Sequence, residues 1–383
     1  MFEYFPNNYV WNMSANLALC MGANIGEIDD ACRPLVSAAA AGDDGGTEAF
    51  LRSWSAIGDR LERLAQDDVA ANRNLSAAAK YGRAWVYYAT AERMQSPSLA
   101  SRAQTYSKAL DCFSRSICLG TENCEFVEVP YAGTSLPSLF IRAAGVAGAK
   151  TPCMVHVNGL DSTKEMIYRV GMSGALSRRG VSTLIVDQPG TGGALRLRNL
   201  VAVPEAEQWA AAAVDYLEAR NDVLADRIGI MGWSLGGYYA PRAAAFEKRF
   251  KLCVAWGANY DWGEMQRRRL AKQGDRPVPH YWDHVCWVWG KGGLEEFMEF
   301  APNISLAGIL HRISVPVLVT HGANDRQIPL EYARKTYDDL INSPGRELKI
   351  FTSEEGGDEH CNVDNMTNAR DYIADWVAEM LNV

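Results

Sequence analysis

The 383-residue sequence lacks several things, and each absence narrows what the chain can be. Its first residues, Met1-Phe2-Glu3-Tyr4-Phe5-Pro6, have neither the basic start nor the apolar stretch of a secretory signal. No apolar run nears the ~20 residues that span a bilayer, so no membrane partner is expected. The 9 cysteines are odd in number, scattered and without a CxxC pair. Free buried thiols are therefore predicted rather than disulfides, and no metal site. Positive charge is short as well: 38 Lys and Arg face 46 Asp and Glu, a net charge of −8. A nucleic-acid binder needs a basic face for phosphates, so nucleic acid is not an expected partner. Neither GxGxxG nor GKS/T occurs where a phosphate cradle would need it, and no cofactor is predicted. The expectation is a cytoplasmic protein.

What is present reads as a folded chain, with 48% hydrophobic and 22% charged residues. At roughly 150 residues per domain, the length suits two domains or one large domain with an insertion. The two parts differ in pattern. Phe50, Leu51, Trp54, Ile57, Leu61 and Leu64 recur at helical spacing and predict a helix over 47–66. Further helices are predicted over 77–94 and 101–117, with Pro97 between them and Gly120 as a stop. Residues 37–46 read as a loop. The rings Tyr81, Trp85, Tyr87 and Tyr88 are either core or the wall of a pocket. Residues 1–122 are thus an all-helical domain.

From 123 to 383 short β-branched runs alternate with amphipathic stretches such as 205–220. A hairpin is predicted at 126–129 and 139–141. Strands follow at 153–157, 183–186, 228–231, 254–256, 317–320 and 348–351. The fold class is α/β, a mostly parallel, doubly wound sheet. The gap between the fourth and fifth of these later strands is too long for one connection. It predicts a helical insert at about 259–310, over the sheet's carboxyl edge.

The chemistry starts at Gly232-Trp233-Ser234-Leu235-Gly236-Gly237, between a predicted strand and a predicted helix. A serine there stands on a sharp turn, which small residues two before and two after it permit. A hydroxyl needs a base, and the base needs an acid to orient it. In this arrangement the chain order is Ser, Asp, His. Asp325 follows a strand in His321-Gly322-Ala323-Asn324-Asp325, and His360 alone lies after the last strand. His156 sits inside a strand, His321 at a strand end, and His280, His284 and His311 in or near the insert. Asp358 and Glu359 read as solvated loop charges. The oxyanion donors are expected to be the backbone N–H groups of Leu235 and Leu160, with Gly159 permitting the turn before Leu160.

The elbow, the residue order and Asp187-Gln188-Pro189-Gly190-Thr191-Gly192 resemble the α/β-hydrolase superfamily over about 125–383. The loop Asn158-Gly159-Leu160-Asp161-Ser162-Thr163-Lys164-Glu165, with the helical segment before the sheet, narrows the resemblance. It is similar to the family of dihydroxypseudooxynicotine hydrolases, fungal polyketide-shortening hydrolases and fermentation–respiration switch proteins. That resemblance implies hydrolysis of a C–C bond beside a ketone, in an acylated aromatic, β-diketone or polyketide-like substrate. It also implies a homodimer, and an N-terminal helical domain that caps the site. A functional glutamate of the family's STKE loop falls at Asp161, one methylene shorter. Asp161 is either a catalytic acid or the N-cap of a helix beginning near Ser162.

The run from His280 to Trp289 carries four large rings. Tyr281, Trp282 and Trp287 are assigned to substrate binding together with Gly159 and Trp233, which suits a flat aromatic small molecule. Packing of the insert or a dimer contact is the other reading of those rings. The motif itself does not separate C–C cleavage from hydrolysis of a bulky ester, carbamate or amide. A partner-binding protein on the same scaffold is a third possibility, against which an intact Ser234, Asp325 and His360 argue.

Overall fold

The structure is a computed structural model and describes residues 1–145 and 148–383. The short runs extend into eight strands: β1 (Glu125–Tyr131), β2 (Thr134–Ile141), β3 (Thr151–Val157), β4 (Ser182–Val186), β5 (Val223–Trp233), β6 (Cys253–Trp256), β7 (Val317–Gly322) and β8 (Arg346–Phe351). They form one sheet in the order β1-β2-β4-β3-β5-β6-β7-β8. β2 runs antiparallel to both β1 and β4, and every other neighbouring pair is parallel. β3, β4, β6 and β7 are buried along their whole length, which is why they read as mostly apolar runs rather than as a regular apolar–polar alternation.

Register fixes where function can sit. Val157 pairs with Gly232, Trp233 with Trp256, Trp256 with Thr320, and Gly322 with Phe351. The carboxyl ends of β3, β5, β6, β7 and β8 are therefore level, and the loops that follow them share one edge. The strand order reverses between β3 and β5, the crevice where open α/β sheets bind ligands.

Two compact units are distinguished. One comprises Cys124–Asp275 and Val285–Val383 and holds the sheet. The other comprises Met1–Asn123 and Arg276–His284 and is helical. In it, Thr47–Ala70, Asn74–Arg93 and Ala100–Leu119 form the three long helices. Phe50 stacks on Trp54 at 4.8 Å, and Trp54 meets Tyr87 at 5.6 Å. Tyr81, Trp85, Tyr87 and Tyr88 are all buried, as core rings. Arg102 and Glu92 form a buried ion pair at 2.7 Å.

Two features depart from the sequence reading. Tyr9–Cys20 and Ile25–Cys32 are helices, and the short helix Val36–Ala39 runs into the stretch 37–46 read as loop. Tyr9–Cys20 is buried on nearly every side, so it has no apolar stripe to betray it. Its Asn8 cap accepts Trp11 N–H at 3.0 Å, and Asn12 Oδ1 accepts the Tyr4 and Phe5 amides. The second departure is the segment Arg276–His284, assigned from sequence to the insert of the sheet-bearing part. It packs with the helices: Arg93 donates to Pro277 O at 3.0 Å, and His280 Nε2 lies 3.0 Å from Thr47 Oγ1. Among the described residues, no helix is long and apolar enough to cross a membrane.

Candidate active site

Ser234 follows β5 directly and has φ +56, a left-handed conformation that costs a non-glycine residue about 1–2 kcal/mol. Two hydrogen bonds hold it there: its N–H donates to Trp256 O at 2.9 Å, and its carbonyl accepts Gly237 N–H at 2.8 Å. Gly232 is dictated by contact, since a Cβ there would lie 2.5 Å from Gly236 O. The helix Gly236–Phe246 then leads away from the turn.

Asp325, His360 and Ser234 come together in one hydrogen-bonded chain. His360 Nδ1 lies 2.8 Å from Asp325 Oδ2, and His360 Nε2 lies 3.0 Å from Ser234 Oγ. The carboxylate can only accept, so Nδ1 carries the proton and Nε2 is free to accept from the serine hydroxyl. Asp325 Oδ1 takes the Gln327 and Ile328 amides at 2.8 and 2.9 Å. Burial alone would raise the Asp325 carboxyl, but the charge and hydrogen bond of His360 outweigh it and hold it below the ordinary value. Burial likewise opposes an imidazolium at His360, yet Asp325 and the Cys361 thiol lift it well above the ordinary value.

The loops that deliver these groups are tied to one another. Asn324 N–H donates to Asp358 O at 2.7 Å and its side chain to the Asp358 carboxylate, so Asp358 is a buried clasp, not the solvated charge expected from sequence. Asp364 accepts the amides of Gly357 and Glu359 at 2.8 and 3.0 Å. Asn362 accepts the Trp256 indole N–H at 2.7 Å, fixing the turn just after His360.

Across the crevice, the loop after β3 touches the serine. A Cβ on Gly159 would lie 3.0 Å from Ser234 Cβ and 3.2 Å from Trp233 O. Gly159 N–H is taken by Ser162 Oγ at 2.9 Å. Among the described residues, neither the Leu160 nor the Leu235 N–H is used by a hydrogen bond inside the protein. Beneath the loop, Asp187 accepts Lys164 N–H and Gly193 N–H, both at 2.7 Å, and Lys164 Nζ at 3.1 Å. Burial drives the Asp187 carboxyl upward; Glu165 is also buried, but Lys164 at 2.5 Å draws it below its ordinary value.

The remaining sequence-assigned residues fall differently. The helix after the loop starts at Lys164, and its N-cap is Thr163, whose side chain accepts Met166 N–H at 3.4 Å; Asp161 is therefore not its cap. Trp233 is buried and its indole N–H goes to Ser162 Oγ at 3.0 Å. Tyr281 is buried within the helical unit, 5.1 Å edge-on from Trp282. Trp287 carries the Arg196 guanidinium 5.4 Å over its ring, while neighbouring Trp289 packs on Trp262 at 5.6 Å. His321 donates to Ile328 O at 2.9 Å and sits 3.7 Å from Asp325 Oδ2, under the acid. Among the described residues, no cluster of three His, Cys, Asp or Glu side chains suits a metal ion.

The family model for the prolyl oligopeptidase family matches residues 175–383, more than half of the chain. The chain belongs to this family. It is an α/β-hydrolase, an enzyme. It is 26% identical to 2,6-dihydropseudooxynicotine hydrolase of Paenarthrobacter nicotinovorans over 336 residues, covering 86% of this chain and 83% of that one. It is also 26% identical to hydrolase LUC6 of a Fusarium species, over 100% of this chain and 99% of the relative. The crystal structure of 2,6-dihydroxy-pseudo-oxynicotine hydrolase superposes with a TM-score of 0.76 at 23% identity, covering 96% of this hydrolase and 95% of that chain, a likeness of fold.

Proposed function

We propose that this α/β-hydrolase is a serine hydrolase that cleaves a C–C bond beside a ketone in an acylated aromatic, β-diketone or polyketide-like small molecule. The observation that carries the reading is the chain Asp325–His360–Ser234, with the Gly159–Leu160 loop against the nucleophile. Ser234 Oγ attacks the ketone carbon while His360 Nε2 takes its proton. The carbonyl oxygen becomes an oxyanion held by the N–H groups of Leu235 and Leu160. On collapse the C–C bond breaks and its electron pair leaves as an enolate or aryl carbanion equivalent. The His360 imidazolium returns its proton to it, directly or relayed through Asp161, and is neutral again. Water deprotonated by His360 then attacks the acyl-enzyme and restores Ser234. The named activity of the Paenarthrobacter relative supports the substrate class.

Ester or amide hydrolysis is a second reading, favoured by the family match itself: 175–383 contains Ser234, Asp325 and His360 but not the 158–165 loop. An aryl 1,3-diketone and an aryl ester of similar shape, with products identified by mass spectrometry, separate the two. Diketone cleavage lost in Ser234→Ala is the expected result. Ester turnover with an untouched diketone would overturn the C–C assignment.

A further inference from the structure

The Ser162 hydroxyl touches both sides of the proposed oxyanion hole. Its oxygen accepts the indole N–H of Trp233 at 3.0 Å and the backbone N–H of Gly159 at 2.9 Å. Its own proton goes to Asn158 Oδ1 at 2.8 Å. A serine hydroxyl has one donor and two lone pairs, so its capacity is full. Trp233 is the residue before the nucleophile, on the strand that delivers it. Gly159 is the residue before the Leu160 donor, on the loop that faces it. The hydroxyl thus joins the elbow to the oxyanion loop across the crevice between β3 and β5.

The rest of the loop is fixed from below. Asn158 exchanges both backbone groups with the Gln188 side chain, N–H to Oε1 at 3.0 Å and carbonyl from Nε2 at 2.9 Å. Its amide nitrogen reaches Val186 O at 2.8 Å and Asp187 Oδ1 at 3.2 Å. These bonds hold the loop to the strand and loop of β4. The Ser162 hydroxyl links it by a side chain to Trp233, the residue beside Ser234. A loop on which even an added methyl would lie 3.0 Å from Ser234 Cβ has little slack, and an error of about 1 Å in donor placement is worth about 10²-fold in rate.

We propose that Ser162 is a positioning residue that sets the spacing between the Leu235 and Leu160 amides, acting through Trp233 and Gly159 without touching substrate. This rests on the reading of Ser234 as nucleophile. It also assigns the Trp233 indole a structural task in place of a substrate contact.

The test uses Ser162→Ala, Ser162→Thr, Trp233→Phe and the double variant Ser162→Ala/Trp233→Phe, with an aryl ester as substrate. Binding of an aryl trifluoromethyl ketone, which forms an oxyanion adduct with a serine, is compared with that of the aryl methyl ketone. Ser162→Ala is expected to lower kcat by about 30- to 100-fold with KM within about threefold. The preference for the trifluoromethyl ketone should fall by a similar factor. Ser162→Thr should recover most of kcat, Trp233→Phe should act in the same direction, and the double variant should lose less than the product of the single losses. Should Ser162→Ala fail to fold, Trp233→Phe and its ketone preference decide the matter. Wild-type kcat with the ketone preference intact, or an effect confined to KM, would overturn the proposal. Turnover retained by Ser234→Ala would instead overturn the nucleophile reading beneath it.

Discussion

Asp325→Asn is the substitution whose consequence the geometry specifies most closely. Asp325 Oδ1 accepts two backbone amides, from Gln327 and Ile328, so the carbonyl oxygen of an asparagine must occupy that position. Its NH2 then takes the place of Oδ2 and faces His360 Nδ1, 2.8 Å away. Two donors cannot share that bond, so Nδ1 must become the acceptor and the imidazole proton moves to Nε2. Nε2 then no longer accepts the Ser234 hydroxyl, and general-base assistance is lost with the fold intact. A wrong tautomer of this kind costs about 10⁴-fold in kcat, or about 5.4 kcal/mol of transition-state stabilisation. The pH profile moves as well. Burial disfavours the His360 imidazolium, and Asp325 is the first group that overrides it, so the wild-type kcat/KM should rise with pH through an apparent pKa above the ordinary imidazole value. In Asp325→Asn the carboxylate charge is gone while burial remains, so the limb of any residual activity should shift to lower pH. Aryl-ester turnover between pH 5 and 9, with a thermal melt to verify folding, measures both. Activity within tenfold of wild type and an unmoved limb would refute the reasoning.

Three more outcomes follow from separate parts of the molecule. Gly159→Ala puts a methyl 3.0 Å from Ser234 Cβ, and should lower aryl-ester kcat by about 10²-fold or more in a protein that still melts cooperatively; wild-type turnover would contradict that contact. His156 is wholly buried on β3 with neither ring nitrogen paired, and burial pushes it down from 6.5 to about 3. The unfolded imidazole takes a proton below pH 6.5 and the folded one only near 3, so stability falls across that window. The loss from pH 8 to 4.5 should be ~3 kcal/mol, and denaturant titrations of His156→Leu should show that much less acid sensitivity. Arg102→Ala removes the buried cation 2.7 Å from the Glu92 carboxylate in the helical unit and should cost about 3–5 kcal/mol in urea unfolding. Arg102→Met with Glu92→Leu should recover most of it, and a single-variant loss below about 1 kcal/mol would go against the pair's burial.

Much of the sheet was legible because its central strands β3, β4, β6 and β7 are buried on both faces. Runs such as 228–231 and 254–256 carry no polar side chain, and the turn chemistry of Gly232 and Gly236 marks where Ser234 stands. What the sequence does not carry is tertiary. Tyr9–Cys20 has no solvent face, so helical periodicity is missing from it. Arg276–His284 joins the helices through Arg93 and Thr47, which lie far away in the chain. Ser162 looks like any loop serine until Trp233, Gly159 and Asn158 converge on it. Asp358 reads as a solvated acid until Asn324 is brought to it by the neighbouring strand. Its neighbour His360 is different, because position after the last strand and before the last helix is a topological property that chain order alone conveys.

The central claim is that Ser234 is an activated nucleophile. Fluorophosphonate labelling of the native protein, followed by peptide mapping, tests it most directly. One phosphonyl group on Ser234, absent in Ser234→Ala and strongly slowed in His360→Ala, is the predicted result. Folded protein that takes up no label, or takes it up on a different residue, would contradict it.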